Sequence, residues 1–226
     1  GLLSEFAAKK FGDKEALHFD GQSFSFRELH ETIEKFGAGL ISLGVEEKDV
    51  VTLYASNSWE WIVSYFAIAR IGAVINPVNT MLTSNEIIYV VNDCGAKTII
   101  SSEDKIEALA DIREHTQIAN IISFGKEENG IKSFHSLVAE NLSVERELNV
   151  SAKALSTIAY TSGTTGHPKG AMQSHKAVIL NGSMTSQMHM RNDKDIVVSA
   201  LPCPHVYGNV VMTGMMMFGT KLILHK

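Results

Sequence analysis

Short apolar runs alternate with amphipathic stretches along most of the 226 residues, and this alternation limits the possible folds more than any other feature. The runs are bounded by turn residues, whereas the longer stretches repeat apolar residues about every 3.6 positions, as helices do. The predicted strands comprise residues 16–19, 23–26, 50–54, 73–77, 97–101, 118–124, 196–200 and 220–224. The predicted helices comprise residues 29–43, 59–71, 84–92, 103–115, 175–190 and 206–217. Strands that alternate with such helices are typical of βαβ units, so we predict an α/β fold with a largely parallel sheet.

Turn and capping residues mark several of these boundaries. Asp20-Gly21 lies between the first two predicted strands and is a strong signal for a β-hairpin. Ser84 is placed to cap the helix that begins there, and Cys94-Gly95 is placed to end it.

Composition and charge argue against several classes of protein. The chain is 45% hydrophobic and 20% charged, as ordinary soluble globular proteins are. A formal net charge of −5 gives no basis for nucleic acid as a partner, because binding the phosphate backbone needs clustered Lys and Arg. The apolar runs fall short of the roughly 18 residues of a membrane span, so we predict no integral membrane segment. Two cysteines, Cys94 and Cys203, are too few for a disulfide framework and favour a reducing compartment such as the cytoplasm.

Residues 160–170 read Y-T-S-G-T-T-G-H-P-K-G and follow an apolar stretch at 154–159. Glycines let a backbone approach a ligand closely, and their N–H groups, together with the hydroxyls, can donate to phosphate oxygens. Lys169 adds a flexible positive charge that suits a polyphosphate. The alternative is an ordinary surface loop, because Gly, Ser and Thr are also common turn formers.

Two standard phosphate motifs do not fit this run. A Walker loop needs a second glycine where Pro168 stands, and Lys169 is followed by glycine rather than by serine or threonine. A dinucleotide fingerprint fails because two threonines separate Gly163 from Gly166. The residues alone therefore predict a phosphate site without saying which phosphates it holds.

The run T-S-G-T-T-G-x-P-K-G, however, resembles at every fixed position the phosphate loop of the adenylate-forming superfamily. That superfamily contains acyl-CoA synthetases, peptide-synthetase adenylation domains and firefly-type luciferases. Residues 201–208, L-P-C-P-H-V-Y-G, are similar to its second motif, L-P-x-x-H-x-[FY]-G. Residues 24–29 and 68–79 resemble two of its earlier segments, so the likeness runs in order through nearly the whole chain.

The resemblance implies that ATP activates a carboxylate to an acyl-adenylate with release of pyrophosphate, and that coenzyme A then accepts the acyl group. It implies a catalytic role for Lys169, Thr165 and His205. The implied nucleotide-binding residues are Thr161, Ser162, Gly163, Thr164, Thr165, Gly166 and Lys169. It also places the hydroxyl of Thr165 near a Mg²⁺ ion carried by ATP.

The second motif implies an acyl pocket formed by His205, Val206, Tyr207 and Gly208. Without the motif, His205 could equally well be a loop residue or a helix cap. Relatives that activate amino acids carry an aspartate in this neighbourhood, and its absence here favours a fatty, other acyl or aryl acid. Core packing is the preferred interpretation of the methionines at 184–190 and 212–217. The alternative is that they line a flexible acyl channel.

The resemblance further implies that residues 1–226 are the N-terminal portion of the large AMP-binding domain, without the C-terminal domain. A polar, weakly patterned range at 125–153 marks a candidate internal boundary. Because the resemblance places the C-terminal domain outside these 226 residues, we expect them to be inactive by themselves. The expected partners are a small-molecule carboxylate, ATP and coenzyme A, with a homodimer as one open assembly. The alternative hypothesis is a non-catalytic nucleotide- or acyl-binding module, or a degenerate paralogue, on the same scaffold.

Overall fold

The computed structural model describes residues 2–143, 150–161 and 168–226, which form two sheets and the helices packed on them. The strands are β1 (Glu15–Phe19), β2 (Gln22–Ser25), β3 (Val50–Tyr54), β4 (Val74–Pro77), β5 (Thr98–Ser101), β6 (Asn120–Ser123), β7 (Lys132–Ser133), β8 (Leu155–Thr161), β9 (Lys169–Ser174), β10 (Ile196–Ser199) and β11 (Lys221–Leu224). The helices are α1 (Leu3–Phe11), α2 (Phe26–Ser42), α3 (Trp59–Arg70), α4 (Ser84–Cys94), α5 (Ile112–His115), α6 (Phe134–Ala139), α7 (His175–Met188) and α8 (Val206–Phe218), with a 3-10 helix at Glu103–Leu109.

The larger sheet has seven strands in the order β7-β6-β5-β3-β4-β8-β9. All its neighbouring strands are parallel except β8 and β9, which form an antiparallel pair. The central strands are buried on both faces, which is why they read in the sequence as continuous apolar runs. The predicted α/β fold with a largely parallel sheet is confirmed.

The smaller sheet joins the two ends of the described chain. Its order is β10-β11-β1-β2, and β1 pairs in parallel with β11, so that Leu17 lies opposite Leu222. The predicted hairpin at Asp20-Gly21 is confirmed, because β1 and β2 are antiparallel neighbours. The division of the strands between two sheets could not be predicted from local periodicity.

One core cluster connects the two sheets through the helices between them. Its large buried side chains include Trp61 of α3 and Phe36 of α2, and Phe134 of α6 packs 4.4 Å from Phe36 between ring centroids. Phe134 and Leu137 fall inside the range 125–153, whose role as an internal boundary stays a prediction. Within the described ranges, the helices are too short or too polar to cross a bilayer.

Two predicted details were wrong, and some elements, among them α1, α6 and β9, were not predicted. The cap of α4 is Thr83 rather than Ser84, because Thr83 forms a reciprocal capping box with Glu86. The predicted helix 103–115 divides into a 3-10 helix and the short α5, since its apolar residues recur every three positions, which suits 3-10 geometry. The strand β9 was not predicted, because it is exposed along its length and carries little apolar pattern.

The methionines divide into two groups. Met212, Met215 and Met216 are buried in the core, as the packing interpretation predicts. Met184 and Met188 on the outer side of α7 are 67% and 72% exposed, so they pack into neither a core nor a channel among the described residues.

Small residues allow α7 and α8 to approach closely. A Cβ added at Gly182 would lie 2.7 Å from Cγ2 of Thr213, and one added at Gly214 would lie 2.6 Å from Oγ of Ser186. Both distances are shorter than real Cβ contacts, so the helix pair depends on having no side chain at these positions. This contact sets the position of α8 relative to the β8–β9 pair.

Replacing Gly182 by valine should force the two helices apart. We expect Gly182→Val to lower the free energy of unfolding by about 1–3 kcal/mol, as overpacking of a tight contact does. The measurement is urea denaturation followed by circular dichroism. Gln187→Val, on the exposed side of the same helix, is the matched control and should change stability by less than about 0.5 kcal/mol. Equal effects of the two variants would contradict the proposed contact.

Candidate functional site

The candidate phosphate loop connects β8 to β9. The two strands pair in antiparallel register, with Tyr160 opposite Gly170 and Thr161 opposite Lys169. The structure therefore brings the predicted Thr161 and Lys169 together as a cross-strand pair, both exposed. The predicted residues Ser162, Gly163, Thr164, Thr165 and Gly166 lie outside the described residues, so their nucleotide and Mg²⁺ roles stay predictions.

The loop follows the carboxyl end of β8, where parallel neighbours also end. Because β4 pairs in parallel with both β3 and β8, the last residues of all three strands lie along one edge of the sheet. Open α/β sheets bind ligands outside this edge. The position of the loop therefore fits a ligand site.

Tyr160 anchors the first strand of the hairpin. Its ring packs against the smaller core cluster, and its hydroxyl donates to a carboxylate oxygen of Asp93 in α4. Burial raises the pKa of Tyr160 well above its usual range, and the hydrogen bond to Asp93 raises it further. The hydroxyl therefore stays protonated and holds the end of β8 against α4.

Gly170 has a steric reason for being glycine. A Cβ at this position would lie 2.8 Å from Cγ2 of Ile158 and 3.1 Å from Cζ of Tyr160. A side chain here would have to move the Ile158 methyl group and would crowd the Tyr160 ring. The last glycine of the motif thus supports the loop through packing.

The second motif is held in place by Asn57, which follows β3. Its side-chain Nδ2 donates to the carbonyls of Leu201 and His225, each at 3.0 Å, and its Oδ1 accepts from the N–H of Cys203 at 2.8 Å. The amide thereby ties the edge of the larger sheet to the segment before α8 and to the end of the smaller sheet. Asn57 was not among the predicted site residues, although an amide shortly after a buried strand was the available signal.

His205 caps α8 in the structure. Its Nδ1 accepts from the N–H of Tyr207 at 3.4 Å, and the two rings stack with centroids 5.7 Å apart. Because Nδ1 accepts, a neutral ring carries its proton on Nε2. The helix-cap alternative therefore describes the position of His205, and its role in an acyl pocket stays a prediction.

Gly208 permits α8 to start close to the preceding segment. A Cβ there would lie 2.5 Å from the carbonyl oxygen of Pro202 and 2.8 Å from Cα of Cys203. The residue is buried under this turn, whereas Tyr207 is 62% exposed.

An open pocket lies between the second motif and the strands that flank the phosphate motif. Pro204 and Val206 of the second motif form one side, and Thr157 and Ala159 of β8 form another, together with Gln173 of β9. Of the four predicted pocket residues, Val206 lines this pocket, whereas His205, Tyr207 and Gly208 lie beside it. Pro204 contributes directly to the wall.

A second cavity lies among α1, α3, α7 and α8 and includes none of the predicted site residues. Its polar lining includes His175 and Tyr65. Burial lowers the pKa of His175 to about 4, so its ring is neutral at physiological pH. Over the described part of the chain, no group of three His, Cys, Asp or Glu side chains is placed to hold a metal ion.

Comparisons with known proteins show which family and which fold the chain resembles. A family profile described as AMP-binding enzyme matches residues 4–226. An indoleacetate–CoA ligase from Aromatoleum aromaticum is 28% identical over 99% of this chain and 45% of that protein. A long-chain-fatty-acid–CoA ligase from Thermus thermophilus is 28% identical over 97% of this chain and 42% of that protein. The solved structure of a long-chain-fatty-acid–CoA ligase from Archaeoglobus fulgidus has a TM-score of 0.88 at 25% identity, covering 98% of this chain and 46% of that one.

This chain spans less than half the length of each of these relatives. The structural likeness identifies the fold as that of the N-terminal large domain of adenylate-forming enzymes. The order of the motifs along the sequence also indicates this domain.

Removing the hydroxyl of Tyr160 should weaken the anchor of the loop. We expect Tyr160→Phe to lower the free energy of unfolding by about 1 kcal/mol, the net value of one hydrogen bond whose exposed partner Asp93 can be rehydrated. Urea denaturation provides the measurement. Tyr207→Phe, which removes an exposed hydroxyl, is the control and should change stability by less than about 0.5 kcal/mol. An unchanged stability in Tyr160→Phe would show that Asp93 does not hold the strand.

Proposed function

The chain belongs to the AMP-binding enzyme family, and on this premise we propose that the protein activates a carboxylic acid with ATP and transfers the acyl group to coenzyme A. The observation that carries the proposal is the pocket where β8 and β9, the strands on either side of the phosphate loop, meet Pro204 and Val206 of the second motif. An acyl group in that pocket would place its carboxylate toward the loop at the end of β8.

The proposed chemistry has two steps that balance without a further reactant. In the first, a carboxylate oxygen attacks the α-phosphorus of ATP, and the bond to pyrophosphate breaks. In the second, the thiol sulfur of coenzyme A attacks the acyl carbon, loses its proton and displaces AMP. The first step is needed because a carboxylate is a poor electrophile, whereas AMP is a good leaving group.

We assign the pyrophosphate end of ATP to the loop and its two strand ends. Lys169 supplies a positive charge opposite Thr161, where negative charge grows on the departing pyrophosphate. The remaining phosphate ligands are assigned to Ser162, Gly163, Thr164, Thr165 and Gly166. Mg²⁺ would be held mainly by the phosphates, with help from the Thr165 hydroxyl.

We assign His205 to the carboxylate end of the acyl pocket. Its Nδ1 is engaged in capping α8, which leaves Nε2 as the donor available to a substrate oxygen. Val206, Tyr207 and Gly208 complete the assigned pocket segment, with Val206 in the wall and Gly208 as the turn that positions it.

The same proposal includes the domain organisation, the location and the assembly of the protein. Residues 1–226 would form the N-terminal portion of the large domain of a longer enzyme, since its relatives are about twice as long. Cys94 and Cys203 are both free thiols, which favours a cytoplasmic location. A homodimer is the assembly that we propose to test by gel filtration.

Lys169 provides the direct test of the phosphate assignment. We expect Lys169→Ala to reduce carboxylate-dependent ATP–pyrophosphate exchange at least about 100-fold, the usual effect of removing one group that stabilises transition-state charge. The assay uses the protein with any sequence that its gene encodes beyond Lys226. Lys153→Ala, which removes another lysine from an exposed segment outside the motif, is the control and should retain full exchange. Exchange that survives in Lys169→Ala would remove Lys169 from the mechanism.

The 226 residues by themselves should show no exchange above background in the same assay. The physical reason is that they supply one side of the pocket, while relatives contribute more than as many residues again. Exchange at the rate of the longer protein would contradict this expectation. If the longer protein also fails with every carboxylate tested, a non-catalytic nucleotide- or acyl-binding module becomes the better description.

A further inference from the structure

One side chain of α7 lies between the pocket and the second cavity. Val178 lines both of them. On the premise of the carboxylate activation above, we propose that Val178 sets the length of the acyl group by closing the inner end of the pocket. Acyl or aryl groups that end at its methyl groups are then preferred over longer chains.

The second cavity lies beyond the pocket when both are followed from the phosphate loop. Along β8, Ala159 and Thr157 line the pocket, and Ser156 lines the second cavity. The strand is irregular at this point, so these neighbouring residues are not held to opposite faces of the sheet. Along α8, Asn209 lines the pocket, and Thr213, one turn further on, lines the second cavity. An acyl group whose carboxylate lies toward the loop therefore extends toward the second cavity.

Val178 lies between two rows of residues on α7. Ala177 and Asn181, four residues apart, line the pocket, whereas His175 and Ile179, also four residues apart, line the second cavity. Residues four apart share a face of a helix, because an α-helix has about 3.6 residues per turn. Val178 falls between these two faces, so its side chain is the point on α7 at which the pocket and the second cavity are divided.

The side chain of Val178 is suited to form a fixed wall. A valine in a helix keeps one strongly preferred χ1 rotamer, so its two methyl groups have little freedom to swing aside. The residue is half-buried, and its helix is held close to α8 by the contact at Gly182. Such a wall limits the acyl group by its shape, without a moving gate.

The rest of the division is a cluster of polar side chains. The hydroxyl of Tyr65, which lines the second cavity, lies within hydrogen-bonding reach of the side chains of Thr157 and Asn209, which line the pocket. Asn209 also accepts from the hydroxyl of Thr213 at 3.4 Å. Opening the division here would separate buried polar groups from one another, which is costly. At Val178, only methyl groups stand in the way.

The second cavity fits the end of an uncharged, apolar chain. Its apolar lining comes from α1, α3 and α7 and consists of Leu3, Phe66, Ala69, Val178 and Ile179. None of the described lining residues carries a charge, because the ring of His175 is neutral at physiological pH. Moving methylene groups from water into such surroundings is favourable, whereas burying a charged group is costly. Removing the wall should therefore admit longer alkyl chains.

The test uses two series of acids of increasing length, unbranched fatty acids and aryl acids with unbranched alkyl substituents. We measure kcat/KM for ATP–pyrophosphate exchange with the protein, including any sequence that its gene encodes beyond Lys226, and with Val178→Ala. For the wild type, kcat/KM should fall at least about tenfold when one or two methylene groups are added to the longest well-accepted acid. Val178→Ala should raise kcat/KM for these longer acids at least about tenfold.

Two further variants show whether the gain comes from the second cavity. Leu180→Ala removes an exposed side chain of α7 that lines neither the pocket nor the second cavity, and it should leave the length limit unchanged. Ala69→Leu places a larger side chain in the second cavity. Combined with Val178→Ala, it should reverse the gain for long acids and leave kcat/KM for short acids unchanged.

Circular dichroism and the melting temperature check that the variants fold. If Val178→Ala does not fold, Val178→Ile tests the same wall in the opposite direction, because the added methylene group thickens it. This variant should lower kcat/KM for the longest well-accepted acids at least about tenfold and leave short acids unchanged.

The outcomes separate the role of Val178 from the proposed function. A wild type without a length limit, or a folded Val178→Ala with an unchanged limit, would overturn the role of Val178 and leave carboxylate activation standing. A gain that persists when Ala69→Leu is added would also overturn it, since long chains would then not enter the second cavity. Failure of every acid to support exchange in the wild type would overturn the proposed function and the role of Val178 with it.

Discussion

The arrangement of the site depends on the hydrogen bonds made by the side-chain amide of Asn57. Its three hydrogen bonds reach the carbonyls of Leu201 and His225 and the N–H of Cys203, groups that lie more than 140 residues later in the chain. An amide suits this role because it donates and accepts at once, and so it satisfies groups of both kinds with one side chain. Without it, the edge of the larger sheet and the segment before α8 would share no comparable polar contact at this point among the described residues.

Several glycines near the site are needed because other groups pack closely against them once the two sheets are joined. Gly170 leaves room for the ring of Tyr160, and Gly208 leaves room for the turn at Pro202 and Cys203. Gly182 does the same for the contact between α7 and α8. Part of the sequence signature therefore reflects close packing around the pocket rather than contact with a ligand. Substitutions that disturb these contacts are therefore expected to lower stability.

The local features of the fold were predictable because they rest on local physics. The hairpin at Asp20-Gly21, the end of α4 at Gly95 and the cap of α7 at Ser174 all follow from the conformational preferences of residues close in sequence. The predictions failed where local signals compete or are weak. Thr83 and Ser84 are both good caps, and Glu86 decided between them. The strand β9 is polar and exposed, and it exists because β8 supplies a partner for its backbone.

The sequence by itself determined the family, the class of fold and the position of the phosphate loop at the end of a buried strand. These depend on periodicity and on a long ordered motif, both of which can be read without knowing any contact. Only the tertiary structure decided that the strands divide into two sheets, that His205 caps α8, and that Asn57 holds the segment before α8. These follow from register and packing between residues far apart in the chain, for which local sequence patterns carry no signal.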